Sequence, residues 1–363
     1  MAQFPRDAHP VETSVATRTV LVVKVAAVGD AVMSLPMLSA IRTAQPGSRV
    51  TWLCGRSIRP LLDAVDGIDE ILDIDDARLF SSNQRERAAE VLRAWTVLRG
   101  RRFDLVIVAH RDKRYRLLTL PVRYGELRML GEGTRGGPLC SRSHADEYVR
   151  LVTCLDDWRA TRFPLPRLIL PSLSNDHPVV QASEVRPVVA LAPGGAKNAA
   201  RTSPLKRWPL DRYVQLAGAL HDRDIAVAIV GDASETWVSE AFHGREVIDL
   251  IGQTTLPELL AILARCSAVV AHDSGPFHLA TLAGAPTVAL FGPTSPDAFV
   301  PRDRPVQVLW KGRDLPCAPC YDGREFAACD NNACMQMIEV ADVASRLEVL
   351  VPRRVADARR AGT

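Results

Sequence analysis

No stretch of this 363-residue chain approaches the ~18 consecutive apolar residues that a membrane span needs. The segment from Met1 to Arg18 is polar and lacks the apolar core of a signal peptide. Charge of one sign is equally scarce. The 45 Lys and Arg against 42 Asp and Glu leave a net +3, so bulk charge gives no case for nucleic acid. These absences predict a cytoplasmic protein, whose eight cysteines stay reduced unless they hold a metal. Lysine is rare as well, at five residues, which singles out Lys206. A dinucleotide fingerprint is also missing. Gly131, Gly133 and Gly136 match G-x-G-x-x-G by letter, but Glu126 to Leu130 does not read as a strand, and Gly137-Pro138 blocks a following helix. That segment reads as a loop beside a cleft.

What is present is the composition of a soluble globular protein, 47% hydrophobic and 24% charged, with a length that predicts two domains. Val20 to Val25 reads as a buried strand and Asp30 to Ala44 as an amphipathic helix closed by Pro46-Gly47. Strands at Arg49 to Cys54, Glu70 to Ile74 and Phe103 to Ala109 alternate with helices at Ile58 to Ala64 and Asn83 to Arg99. His144 to Asp156 also reads as helical. Pro164 to Pro187 is proline-rich and weakly periodic, which places a linker there. The αβ rhythm then restarts, with strands at Val188 to Ala192, Ile225 to Val230, Val247 to Ile251 and Val306 to Trp310. Thr255 and Glu258 have capping-box spacing before a helix that runs to about Cys266. The pattern predicts an α/β protein with two Rossmann-like, doubly wound domains facing across a cleft. The boundaries fall at 1–172, 173–186 for the linker, 187–340, and 341–363 for a C-terminal segment.

Four stretches have the form of chemistry. Val269 to Pro296 reads as strand, polar corner, helix and strand. A helix starting after Asp273 and Ser274 offers backbone N–H groups and a positive dipole end to phosphate, with Gly275 close by. His278, one turn in, either donates to a phosphate or packs in the wall. Phe291, Gly292, Pro293 and Thr294 end the next strand on the same edge. The second stretch is Gly29-Asp30 at the end of the first strand. There Asp30 reads either as a general base for a hydroxyl or as a helix N-cap, and spacing leaves both open. The third is the Gly194-Gly195 corner with Lys206 before a helix start. The fourth is Cys317, Cys320, Cys329 and Cys334, four thiols that suit structural zinc or iron, or else are free cysteines in a loop.

Together these stretches resemble glycosyltransferase family nine, the ADP-heptose:lipopolysaccharide heptosyltransferases. The matching pieces include Val22 to Asp30, Ala192 to Ala196, Lys206 to Pro209, Val230 to Asp232 and Asp249 to Thr254. The specific pair is Asp273 to Ala280 with Ala289 to Thr294. The resemblance implies a GT-B fold, an N-terminal acceptor domain, a C-terminal donor domain and a last helix that crosses back to the first domain. It implies an inverting transfer that needs no cofactor, with Asp30 as base and Lys206 near the diphosphate. Asp273, Ser274, Gly275 and His278 then form the donor corner, with Gly29, Gly194, Gly195, Gly231 and Thr294 lining it and Glu235 on the nucleotide ribose. Arg111, Lys113 and Arg114 make the acceptor side basic, which suits an anionic saccharide or else is a solvated helix start. Ala26-Ala27 stand where the family often has serines.

The expected partners are therefore ADP-heptose and a saccharide acceptor of inner-core type. Membrane contact is expected at most peripherally, at the inner face and through a lipid-linked acceptor. Three other readings compete: the same fold with another sugar nucleotide or a small-molecule or protein acceptor, a non-catalytic saccharide- or nucleotide-binding protein, and a sugar-nucleotide epimerase. Retention of both Asp30 and Lys206 argues against the second, and the pairing of Lys206 to Pro209 with Asp273 to His278 argues against the third.

Overall fold

The computed structural model describes residues 17–131, 143–155, 159–198, 201–321 and 326–351. Most of the polar N-terminal stretch, Gly133 and Gly136 of the glycine loop, and the end of the C-terminal segment lie outside these residues. The first sheet is built from β1 (Thr19–Val23), β2 (Arg49–Gly55), β3 (Glu70–Ile74), β4 (Arg102–Val108) and β5 (Arg123–Met129). Its order is β3-β2-β1-β4-β5, and every pair is parallel. The second sheet begins with β6 (Val188–Ala192). After it, β7 (Lys197–Asn198) and β8 (Arg201–Thr202) form a small antiparallel hairpin. The sheet continues with β9 (Ala226–Ile229), β10 (Ile248–Asp249), β11 (Ala268–His272), β12 (Thr287–Phe291) and β13 (Val306–Trp310). Its order is β10-β9-β6-β11-β12-β13, again all parallel.

The central strands are apolar runs because both their faces are covered. Every residue of β6, β11 and β12 is buried, as parallel sheets sandwiched by helices require. Each sheet is doubly wound: strand order reverses between β1 and β4 in the first and between β6 and β11 in the second. Connections leave those strand pairs in opposite directions, so a crevice opens at their C-terminal ends. Asp30 follows β1, His110 and Arg111 follow β4, Gly194 and Gly195 follow β6, and Asp273 follows β11.

Several elements differ from the sequence expectation. β5 occupies the stretch that does not read as a strand. It pairs only with β4, and Arg123 to Glu126 are exposed, so no apolar alternation marks it. The single helix expected from Asp30 to Ala44 is two, Val28–Ser34 and Pro36–Ala44. Pro36 cannot donate the next helical hydrogen bond, and the chain restarts there with Pro36 in the first turn. The linker region carries a helix of its own, Pro178–Val185, which packs on β6 and β9. The last described helix, Val340–Leu350, lies against the helix Leu210–His221, β12 and β13 of the second domain. One apolar core runs through both halves, joining Ala31 and Leu35 of the first to Phe277 and Leu279 of the second.

Candidate active site

The first half of the site is assembled from three elements around Asp30. The helix Val28–Ser34 is N-capped by Ala27 with no side-chain bond, so the N-cap reading of Asp30 is not the one realised. Asp30 instead sits in the first turn, and its carboxylate is engaged by residues from elsewhere. Tyr148, on the helix His144–Thr153, donates its hydroxyl to Asp30 Oδ1 at 2.9 Å. Lys24, the residue after β1, places Nζ 3.6 Å from Asp30 Oδ2. The same Nζ donates to Tyr148 Oη at 3.0 Å and to the Ala109 carbonyl at 3.2 Å. Lys24 is buried, whereas the Asp30 side chain keeps 35% of its surface open.

The electrostatics follow from this packing. Burial pushes the Asp30 carboxyl up, but the Lys24 ammonium, His144, the Tyr148 hydroxyl and His110 outweigh it and bring the pKa down to about 2. Burial and the nearby carboxylate raise Tyr148 well above the ordinary phenol, so it remains a hydrogen-bond donor. Burial lowers His144 to about 4, and it also drives His110 well down. His110 accepts a hydrogen bond from the Val25 N–H through Nε2 at 2.9 Å and stacks on Tyr115 with ring centroids 3.6 Å apart.

The second half is the corner after β11. Ser274 is the N-cap of the helix Gly275–Leu282, yet its hydroxyl donates back to the His272 carbonyl at 3.1 Å and no side chain caps the helix. The buried Asp273 carboxylate receives Lys206 Nζ and Thr294 Oγ1 on the same oxygen, Oδ2, each at 2.7 Å. His278 Nε2 lies 3.8 Å from its other oxygen. Burial raises the Asp273 carboxyl, but Lys206 and His278 overcome this and hold it far below the usual carboxylate range. The Lys206 ammonium also sits over the faces of Phe299 and Phe326, at 5.5 and 6.0 Å.

Beside this corner, the buried Glu235 ties two loops together. Its carboxylate accepts from the Gly195 N–H and, at 3.1 Å, from the Asp232 N–H. A Cβ on Gly194 would lie 2.2 Å from Glu235 Oε2, and one on Gly231 2.4 Å from it. Here, therefore, Glu235 itself fills the space that the two glycines leave. Gly195 has φ +76° and turns its carbonyl to the Arg207 guanidinium, at 3.1 and 2.9 Å.

The two halves touch. A Cβ on Gly29 would lie 2.4 Å from His278 Cδ2, across the domain boundary. His144 of the first domain packs on Phe299 of the second, with ring centroids 4.8 Å apart, and feels the charges of both Asp30 and Asp273. Arg111, Lys113 and Arg114 are exposed beyond β4. Arg114 is bound by Asp112 at 2.6 Å, while Arg111 is near enough to oppose the charge on Lys24 and His144. Lys24, Tyr148 and His144 were not singled out from the sequence. The one available signal was a lysine closing the apolar run of β1.

The four cysteines that suit a structural metal lie after β13. Among the described residues, no three His, Cys, Asp or Glu side chains are grouped to hold an ion. Cys317 and Cys329 face solvent and Cys320 is half-buried, whereas Cys334 is buried, its Sγ 3.0 Å from where a Cβ on Gly292 would lie. Burial and the neighbouring thiols raise Cys320 and Cys334 above an ordinary thiol, the second to about 11.

Comparison with known proteins places this geometry. Residues 166–328 match the profile of glycosyltransferase family 9 (heptosyltransferase). A 123-residue stretch is 38% identical to lipooligosaccharide heptosyltransferase 2 of Haemophilus influenzae and covers 32% of this chain and 34% of that protein. Lipopolysaccharide heptosyltransferase 2 of Salmonella typhimurium is 27% identical over 328 residues, which cover 80% of this chain and 87% of that one. The structure of E. coli ADP-heptose lps heptosyltransferase II superposes with a TM-score of 0.65 at 21% identity, over 92% of this chain and 98% of that chain. Two doubly wound domains, joined at Gly29 and His278 with their strand ends facing, are the GT-B arrangement, and over residues 166–328 the chain is similar to glycosyltransferase family 9.

Proposed function

We propose that the protein transfers a heptose from ADP-heptose to a saccharide acceptor of the lipopolysaccharide inner core, with inversion at the anomeric carbon. The observation that carries this reading is the pairing of Asp30, open on one side, with the Asp273–Lys206 corner of the opposite domain. The second domain holds the nucleotide diphosphate. Lys206 and the N–H groups that open the helix Gly275–Leu282 supply its positive field, and Glu235 meets the ribose by exchanging backbone donors for hydroxyls. The acceptor enters over the first domain, beside the exposed Arg111, Lys113 and Arg114.

In the reaction the acceptor hydroxyl oxygen forms a bond to the anomeric carbon as the bond to the diphosphate oxygen breaks. The hydroxyl proton passes to Asp30, and the nucleotide diphosphate leaves with the electron pair. With a pKa of about 2, Asp30 is a weak base for a resting alcohol. It takes the proton late, once bonding to the electron-poor sugar has made the hydroxyl acidic. A single open carboxylate favours one direct displacement over a two-step route with a covalent sugar. The reading calls on no cofactor and gives the four cysteines no part.

The test is a donor screen that reads free nucleotide diphosphate, using wild type and Asp30→Asn. ADP-heptose is expected to turn over with wild type, and Asp30→Asn to lose about 10²- to 10⁴-fold in kcat while still binding ADP. Turnover of another sugar nucleotide in place of ADP-heptose would replace the donor. Undiminished Asp30→Asn activity would remove the base.

A further inference from the structure

The donors around Asp30 all point one way. Lys24 Nζ donates to the Ala109 carbonyl at 3.2 Å and to Tyr148 Oη at 3.0 Å, and Tyr148 in turn donates to Asp30 Oδ1 at 2.9 Å. Among the described residues the carboxylate within ion-pair distance of the buried Lys24 is Asp30, through Oδ2 at 3.6 Å. An ammonium is costly to bury, and an aliphatic side chain would fill the same space without that cost. A tyrosine hydroxyl reaching from a separate helix to the same carboxylate adds a second buried polar group with one evident target. Lys24, Ala109 and Tyr148 come from the ends of β1 and β4 and from the helix His144–Thr153, so the arrangement is fixed by the fold rather than by one mobile loop.

We propose that Lys24 and Tyr148 are positioning residues for Asp30, clamping Oδ1 so that the carboxylate stays ionised and its remaining lone pairs face the acceptor hydroxyl. This rests on reading Asp30 as the base. Tyr148 fixes the rotation of the carboxylate, and Lys24 fixes both Tyr148 and the charge. Without the clamp, burial would favour the protonated acid, which cannot accept the hydroxyl proton. The other titratable groups facing this pair are His144, His110, Arg111 and Tyr115. Neither histidine can replace the positive charge of Lys24 near neutrality, because burial lowers both His144 and His110.

The experiment is the pH dependence of kcat/KM for ADP-heptose turnover in wild type, Lys24→Met, Tyr148→Phe and Asp30→Asn, with thermal melting and ADP binding measured on each. A base must be deprotonated, so activity falls as pH drops through its pKa. Wild type is expected to stay flat from neutrality down to about pH 4. The wild-type acid limb lies below that window, and Lys24→Met is expected to move the limb up by about one to three pH units, toward and into it. Tyr148→Phe is expected to move it less and in the same direction, and both variants should bind ADP as wild type does. Folded Lys24→Met and Tyr148→Phe proteins with the flat wild-type profile would overturn the clamp even if Asp30→Asn were inactive. Should Lys24→Met fail to fold, Tyr148→Phe decides alone, and an unshifted profile there overturns the proposal. Full activity of Asp30→Asn would remove the base reading, and the clamp with it.

Discussion

The Glu235 carboxylate lies where side chains on Gly194 and Gly231 would have to go, with a Cβ at either site closer than 2.5 Å to Oε2. Gly194→Ala must therefore push out a buried carboxylate that two backbone N–H groups hold, at a cost of about 1–3 kcal/mol. The expected result is a lower melting temperature and a raised KM for the donor, with a smaller change in kcat; an unchanged donor KM would count against Glu235 at the nucleotide. The glycine itself was visible in the sequence as a corner after a strand, but its partner was not, because Glu235 arrives from the loop after a different strand. The same division runs through the site. Asp30, Lys206 and Asp273 are legible because each stands at a strand end or helix start, where polar residues interrupt an apolar rhythm. Tyr148 is not, because an aromatic on an amphipathic helix reads as core, and the carboxylate it serves is 118 positions away.

At the scale of elements, legibility follows burial. The fully buried β6, β11 and β12 stand out as apolar runs, and the capping box of Thr255 and Glu258 is read directly from its spacing and found in place. The edge strand β5, largely exposed, carries no such pattern, and the two-residue β7 and β8 are too short to show one. Helix Leu210–His221 offers a clean check of local propensity. Gly218 lies inside it, and a Cβ there would meet nothing within 4 Å. Gly218→Ala removes backbone freedom from the unfolded chain without a clash, so stability is expected to rise by about 0.5–1 kcal/mol at unchanged turnover. A shift of the denaturant midpoint to lower concentration would show that the helix is under a constraint not visible in its packing.

For the whole molecule the decisive contact is between domains. Each domain is complete as a doubly wound sandwich, and the restart of the αβ rhythm after the linker makes that division legible. How the two halves dock is not, since no local pattern relates Gly29 to His278. Docking is close there: a Cβ on Gly29 would stand 2.4 Å from Cδ2 and 2.9 Å from Nε2 of a ring that is itself buried. The ring has little room to yield, because Phe277 packs beside it at 4.8 Å and Asp273 lies 3.8 Å from Nε2. Gly29→Ala is therefore expected to hold Asp30 away from the donor corner while the Lys206–Asp273–Thr294 hydrogen bonds, all within the second domain, stay in place. Donor affinity, read by ADP titration, should match wild type. kcat should fall by about 10- to 100-fold, the loss expected when a reacting group is displaced by about an ångström. An equal loss of ADP affinity would mean that Gly29 acts on the donor corner itself, and wild-type kcat would mean that the two domains do not need this contact to bring base and donor together.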